Sequence, residues 1–122
     1  MRYRVLISLL ALSLNAAAAE QSTDLPSCDI QGQQAVVGET GGQISDLGQA
    51  HISVRANILS ADIGTSRKAR NITQVEADRM IKRVQAIRNE TDDFVSQQGF
   101  LSAGEKASFD RELDGIATQL CK

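Results

Sequence analysis

Two matching stretches decide the fold of this chain: Ile72-Thr73-Gln74-Val75-Glu76 and, 29 residues further on, Leu101-Ser102-Ala103-Gly104-Glu105. Each places a Thr or Ser three residues before a Glu, which is the pattern of a capping box at a helix N-terminus. The apolar residues that follow keep the same spacing in both copies, so that Met80 matches Phe109. We therefore predict that each copy begins one helix.

The two helices have clear apolar stripes, and Gly99 marks the end of the first one after Gln98. The stripe of the first consists of Ala77, Met80, Val84, Ile87, Thr91, Phe94 and Val95. The stripe of the second consists of Phe109, Leu113, Ile116, Ala117 and Leu120.

A third helix is predicted earlier in the chain, with Asp46 as N-cap, Gln49 as its capping-box partner and Gly64 as its C-cap. One apolar face of this helix consists of Leu47, His51, Val54, Ile58 and Ala61. A second apolar strip, roughly 120° to 160° away around the helix by the rule of 100° per residue, consists of Ile52, Leu59 and Ile63. Two interpretations of this strip are open: the N-terminal arm covers it, or it is a candidate surface for a partner or a second copy.

The N-terminus has the features of a secretory signal peptide. Arg2 and Arg4 precede a short apolar run over residues 5–14, and four alanines at residues 16–19 offer a cleavage site. The run is too short to span a bilayer, so we predict no stable membrane insertion after cleavage. This predicts a bacterial Sec-type export signal and a periplasmic or secreted protein.

These elements together predict an all-α protein, a three-helix antiparallel bundle with an irregular N-terminal arm. We divide the chain into a signal peptide over 1–19, an irregular arm over 20–45 and a helical bundle over 46–122. The arm and the bundle form one domain, because the arm is rich in Gly, Gln, Ser and Thr and has no core of its own.

The two cysteines, Cys28 and Cys121, are predicted to form a disulfide in an exported chain. An alternative is that Cys28 is a lipoprotein cysteine, since Leu25-Pro26-Ser27-Cys28 loosely resembles a lipobox. Two sulfurs and a single histidine do not suffice for a typical zinc site, so no metal is predicted.

Charge and aromatic content exclude some classes of function. Loss of the two signal-peptide arginines leaves 11 basic against 15 acidic side chains, which argues against nucleic-acid binding. The basic run of Arg67, Lys68 and Arg70 is read as a solvated loop, with contact to an anionic partner as the alternative. Without Trp, and without Tyr once the signal is removed, stacking sites for flat ligands are not expected.

The run from Gly99 to Glu105 also matches the second half of an EF-hand loop. If Gly99 takes loop position 6, then positions 1, 3 and 5 are Phe94, Ser96 and Gln98, none of which supplies a carboxylate. We predict helix starts at both copies and no calcium or other cofactor.

The tandem pattern G-x-[IL]-[ST]-x-x-E-A resembles helix starts in small exported bacterial proteins of unassigned function. The resemblance covers about residues 58–120, although Arg70 replaces the first Gly and Lys106 the Ala. It implies a helical protein of the cell envelope and supplies no activity.

Our functional hypothesis is a non-enzymatic protein-binding module, such as an adaptor, inhibitor, immunity or chaperone-like protein. One alternative is a small hydrolase or ligand binder that uses His51, the only histidine. Another is a structural envelope protein that dimerises through the helix that begins at Asp46. The partner is therefore an unidentified protein or a second copy of the chain.

Overall fold

The structure, a computed structural model, describes residues 24–122, so the predicted signal peptide lies outside the described residues. The described chain is helical apart from its loops and one isolated bridge between Gly41 and Ile44. After a 3-10 turn over Pro26–Cys28 come four helices: α1 (Ile30–Gln34), α2 (Leu47–Lys68), α3 (Gln74–Gln98) and α4 (Ala103–Leu120).

The three long helices pack as an antiparallel bundle. The start of α2 lies beside the end of α3, where the Gln49 amide donates to the Asp92 carboxylate. The start of α2 also lies beside the start of α4, because the carboxylate of Asp46 accepts from the backbone N–H of Leu101. This confirms the predicted three-helix bundle.

The sequence also predicted the caps of these helices. Ser102 and Glu105 form a complete capping box at the start of α4. At the start of α3, Thr73 accepts from the backbone N–H of Glu76, but its hydroxyl donates to the Glu76 carboxylate, so only half of the box forms. Gly99 ends α3 with φ of 88°, in the left-handed region.

One hydrophobic core fills the space between α2, α3 and α4. The predicted stripes of α3 and α4 face it, except that Phe94 is exposed and Val95 is half-buried. The core consists of Ile52, Ala56, Leu59, Ile63, Ala77, Met80, Val84, Ile87, Leu101, Phe109, Leu113, Ile116, Ala117 and Leu120.

No residue of the first apolar face predicted for α2 belongs to the hydrophobic core. Leu47 is 67% exposed and Ala61 is also exposed, whereas the second strip, Ile52, Leu59 and Ile63, lies in the core. The strip is covered by α3 and α4 rather than by the arm. The reason is that α2 is buried on two sides, and one of them is polar, which apolar spacing does not reveal.

The predicted end of α2 at Gly64 was also wrong, because the helix continues to Lys68 with Ala69 as C-cap. The residue that takes the left-handed conformation is Arg70, with φ of 62°. Arg70 occupies the place of Gly99 in the first copy of the repeat. The two copies therefore share a left-handed residue in the turn before the helix, although Arg70 is a residue type that this conformation disfavours.

Replacing Gly64 with Ala is expected to stabilise the protein by about 1 kcal/mol, because Gly in a helix interior is less favourable than Ala by that amount. A Cβ at Gly64 meets no atom within 4 Å. Urea unfolding followed by circular dichroism measures the change. A helix that ended at Gly64 with a left-handed cap would instead lose stability.

Replacing Arg70 with Gly is expected to raise the free energy of unfolding by about 0.5 to 1 kcal/mol. A left-handed backbone costs Arg about 1 to 2 kcal/mol, and the larger chain entropy that Gly loses on folding offsets part of that gain. The same unfolding experiment measures it. Asn71→Gly, one residue further along the loop, is the control and should not stabilise.

The arm contains more helix than predicted, namely the 3-10 turn and α1, and is otherwise irregular up to α2. Its first part is fixed by the predicted disulfide between Cys28 and Cys121, whose Cα atoms lie 5.8 Å apart. Its middle lies directly on α2, so that a Cβ at Gly38 would overlap the backbone of Ala50. The arm therefore covers the polar side of α2.

Candidate functional site

Exposed large apolar side chains gather at one end of the bundle. Of the five found among residues 24–122, four lie where α2 begins, α3 ends and the arm crosses α2: Val37, Leu47, Phe94 and Phe100. The fifth, Val75, lies at the opposite end. We call these four residues the apolar end. Phe94 is held by an edge-to-face contact with Phe109, with 5.9 Å between ring centroids.

A groove of about 590 Å³ lies between the turn at residues 41–44, the first half of α2 and the second half of α3. Ile44 and Val95 supply apolar surface, while Gln49, Arg88 and Asp92 supply polar groups. None of the four residues of the apolar end lines this groove, so the two are separate features of the surface.

The predicted partner surface of Ile52, Leu59 and Ile63 does not exist as a surface in this structure. These side chains are 1%, 3% and 0% exposed, because they pack against α3 and α4 in the core. Only Ile52 also touches the lining of the groove. The predicted partner surface was therefore wrong. The strip is part of the hydrophobic core, and most of the exposed large apolar residues lie at the apolar end.

His51 lies in a buried polar cluster between α2, α4 and the arm. Its Nδ1 is 2.6 Å from the Val36 carbonyl oxygen, and its Nε2 is 2.7 Å from Oδ1 of Asp110. Arg55 donates from Nη1 to the same Asp110 oxygen at 2.8 Å and from Nη2 to Asp114 at 2.7 Å. His51 is therefore a hydrogen-bonded histidine beside the core.

The cluster does not equip His51 for catalysis. A general base needs a ring nitrogen that can reach the proton it abstracts, and a nucleophile beside it. Both ring nitrogens already have partners, and the side chain is 3% exposed. The geometry therefore gives the hypothesis of a hydrolase that uses His51 no support.

The carboxyl group of Asp110 has a lowered pKa. Burial alone would raise it, but hydrogen bonds from Arg55 and His51, with their charges, outweigh burial. Lys106 adds a weaker contact at 3.5 Å. Asp110 therefore binds its proton less readily in the folded protein than in the unfolded chain.

We expect the stability contributed by Asp110 to disappear in acid. The folded pKa is below the unfolded value, 3.8. The contribution is therefore complete above that value and is lost as the pH falls through the folded pKa. Unfolding of wild type and Asp110→Asn should differ strongly at about pH 6 and much less at about pH 2.5. An equal difference at both pH values would contradict this assignment.

The basic run lies at the opposite end from the groove. Arg67 and Lys68 occupy the last turn of α2, where the helix dipole favours cations, and Arg70 follows in the loop. Contact of this run with an anionic partner stays a prediction.

Sequence reasoning missed the groove and most of the residues that define the site. Gln49 was predicted only as a helix cap, and Arg88 was not singled out. One sequence feature could have indicated the apolar end. Phe94 lies near the end of α3, and Phe100 follows in the loop between α3 and α4.

No helix among residues 24–122 is long and apolar enough to cross a bilayer. In the same residues, no three His, Cys, Asp or Glu side chains are grouped as metal ligands. Comparisons with family models, curated proteins and solved structures each found no match to this chain. The resemblance to exported helical proteins therefore stays a prediction.

Proposed function

We propose that this protein is a non-enzymatic protein-binding module of the bacterial periplasm or extracellular space, and that the apolar end is its contact surface. One observation carries the proposal. Four of the five exposed large apolar side chains described in residues 24–122 lie together at one end of the bundle. Exposed apolar side chains gathered in one region of a protein are a common feature of protein contact sites.

The location rests on two features. The disulfide between Cys28 and Cys121 is compatible with an oxidising compartment outside the cytoplasm, where such bonds persist. The N-terminal pattern of Arg2, Arg4 and the apolar run supports export through the Sec system. An adaptor, inhibitor, immunity or chaperone-like role fits this location.

The alternative of a dimer formed through α2 has lost its support, because Ile52, Leu59 and Ile63 are in the core. A partner polypeptide at the apolar end is favoured instead.

Site-specific cross-linking in the native cell tests the proposal. A benzophenone amino acid replaces Phe100, which is 52% exposed, or Val75, which is 66% exposed at the opposite end. We expect a discrete adduct with one protein from position 100 and none from position 75. Leu47→Ser should abolish that adduct by removing apolar contact area.

The proposal fails if position 100 gives no adduct, or if both positions give the same adducts. An adduct of twice the mass of the chain would indicate self-association and would support the structural alternative instead.

A further inference from the structure

A hollow of about 620 Å³ lies at the loop between α2 and α3. Its lining runs from Arg67 in the last turn of α2, through the loop, to Glu76 in the first turn of α3. The three cations of the basic run, Arg67, Lys68 and Arg70, all belong to this lining. We call it the basic hollow.

The charges around the basic hollow are not balanced. Among residues 24–122, none of the three cations forms an ion pair with an acidic side chain. One carboxylate also lines the hollow, that of Glu76, and it already accepts from the hydroxyl of Thr73. Three like charges held close together repel one another, and an anion between them relieves that repulsion. The basic hollow is therefore positively charged and open to an anion.

The start of α3 adds hydrogen-bond donors to the same hollow. The N–H groups in the first turn of a helix have no carbonyl partner within the helix. Thr73 accepts from one of them, that of Glu76, and the N–H of Gln74 lies in the same turn. The positive end of the α3 dipole therefore lies where three side chains already make the surface positive.

The donors of the basic hollow match the oxygens of a phosphate monoester. A guanidinium donates two parallel N–H bonds to one anion, and a lysine ammonium donates from a single point. A phosphate monoester presents three oxygens and about 1.5 to 2 negative charges at pH 7, so it can accept from Arg67, Lys68 and Arg70 together. A carboxylate presents only two oxygens and one charge. A cation would be repelled.

We propose that the basic hollow binds a phosphate monoester group through Arg67, Lys68 and Arg70, with the N–H groups at the start of α3 as further donors. The site lies at the opposite end of α2 from Leu47 of the apolar end, and it does not rest on the proposed protein-binding function. Two sources supply this chemistry: a soluble phosphate, and the headgroup of phosphatidic acid in a membrane.

Titration of the oxidised protein with inorganic phosphate at constant ionic strength, followed by NMR of the backbone amides, tests the site. The signals of Asn71 and Gln74 are expected to shift. Arg70→Gly is the main variant, because it removes a cation and also relieves a left-handed backbone. We expect this variant to bind phosphate about tenfold more weakly, the effect of one charge-assisted hydrogen bond. Since the same change is expected to stabilise the fold, unfolding cannot explain the loss.

Matched controls separate the hollow from the general charge of the protein. Arg67→Gln and Lys68→Gln should weaken phosphate binding. Arg79→Gln and Lys82→Gln make the same charge changes at exposed positions of α3 outside the lining, and should bind phosphate like wild type. Malonate, a dianion with carboxylate oxygens only, should bind more weakly than phosphate.

Sedimentation with vesicles distinguishes the two sources. Vesicles of phosphatidylcholine alone are compared with vesicles that also contain phosphatidic acid. Co-sedimentation that requires phosphatidic acid and is lost in Arg70→Gly assigns the lipid headgroup as the source. Binding of inorganic phosphate without co-sedimentation assigns a soluble phosphate. Either result supports a phosphate site in the basic hollow.

Three results would overturn the assignment. The first is that neither inorganic phosphate nor phosphatidic acid vesicles bind. The second is that Arg79→Gln weakens binding as much as Arg70→Gly, which would show attraction to net charge alone. The third is that malonate binds as tightly as phosphate. None of these results affects the cross-linking expected at position 100, so the proposed function and the phosphate site stand or fall separately.

Discussion

Replacing Cys28 and Cys121 together with serine is expected to lower the free energy of unfolding by about 4 to 5 kcal/mol. The bond joins residues 93 apart, and the chain-entropy model gives this value for a closed loop of that length. It also holds the arm's 3-10 turn to the end of α4. The same turn is bound to α2, because the backbone N–H of Ser27 donates to the Asp62 carboxylate. Urea unfolding of the double variant and wild type, both without reductant, measures the loss.

Wild type in excess reductant is the control for this prediction. It should unfold at the same denaturant concentration as the double variant, because both lack the same cross-link. A loss below about 1 kcal/mol would mean that the unfolded chain is already compact around these positions, contrary to the entropic argument.

Both ends of α3 and the start of α4 followed from local chemistry. Ser102 and Thr73 cap their helices through side chains that lie three residues from the bonded N–H groups, so sequence alone locates both starts. Glycine is the residue type that adopts φ of 88° without strain, so Gly99 located the end of α3. In each case the interacting groups are close in sequence.

The packing of α2 could not be predicted in the same way. Arg55 is charged, and a charged residue normally marks a solvent face, yet it is 3% exposed because Asp110 and Asp114 on α4 pair with it. Those partners are 55 and 59 residues away. The prediction therefore assigned Ile52 to a second strip that the arm or a partner would cover, although α3 and α4 cover it in the core.

The groove was out of reach of sequence reasoning for a related reason. An unpaired atom such as Oε1 of Gln49 is defined by what does not contact it, and this depends on all three walls at once. No spacing along the chain encodes that. The exposure of Phe100 likewise depends on how the junction between α3 and α4 sits on the bundle.

Replacing Arg55 with Met is expected to lower the free energy of unfolding by about 3 to 5 kcal/mol. Met keeps much of the volume, but the carboxylates of Asp110 and Asp114 lose their guanidinium partner while still largely buried. Asp114 also accepts from Gln34 on α1 at 2.7 Å, so the arm is coupled to the same cluster. Chemical unfolding at neutral pH measures the effect.

Lys106→Met is the matched control, because Lys106 contacts the same Asp110 at 3.5 Å with its side chain 37% exposed. Exposed ion pairs contribute about 1 kcal/mol or less. Combining Arg55→Met with Asp110→Leu should recover part of the loss, since removing both charges leaves fewer unpaired groups than removing one. If Arg55→Met costs no more than Lys106→Met, the cluster does not hold α2, α4 and the arm together, and the burial of Arg55 would be incidental to the fold.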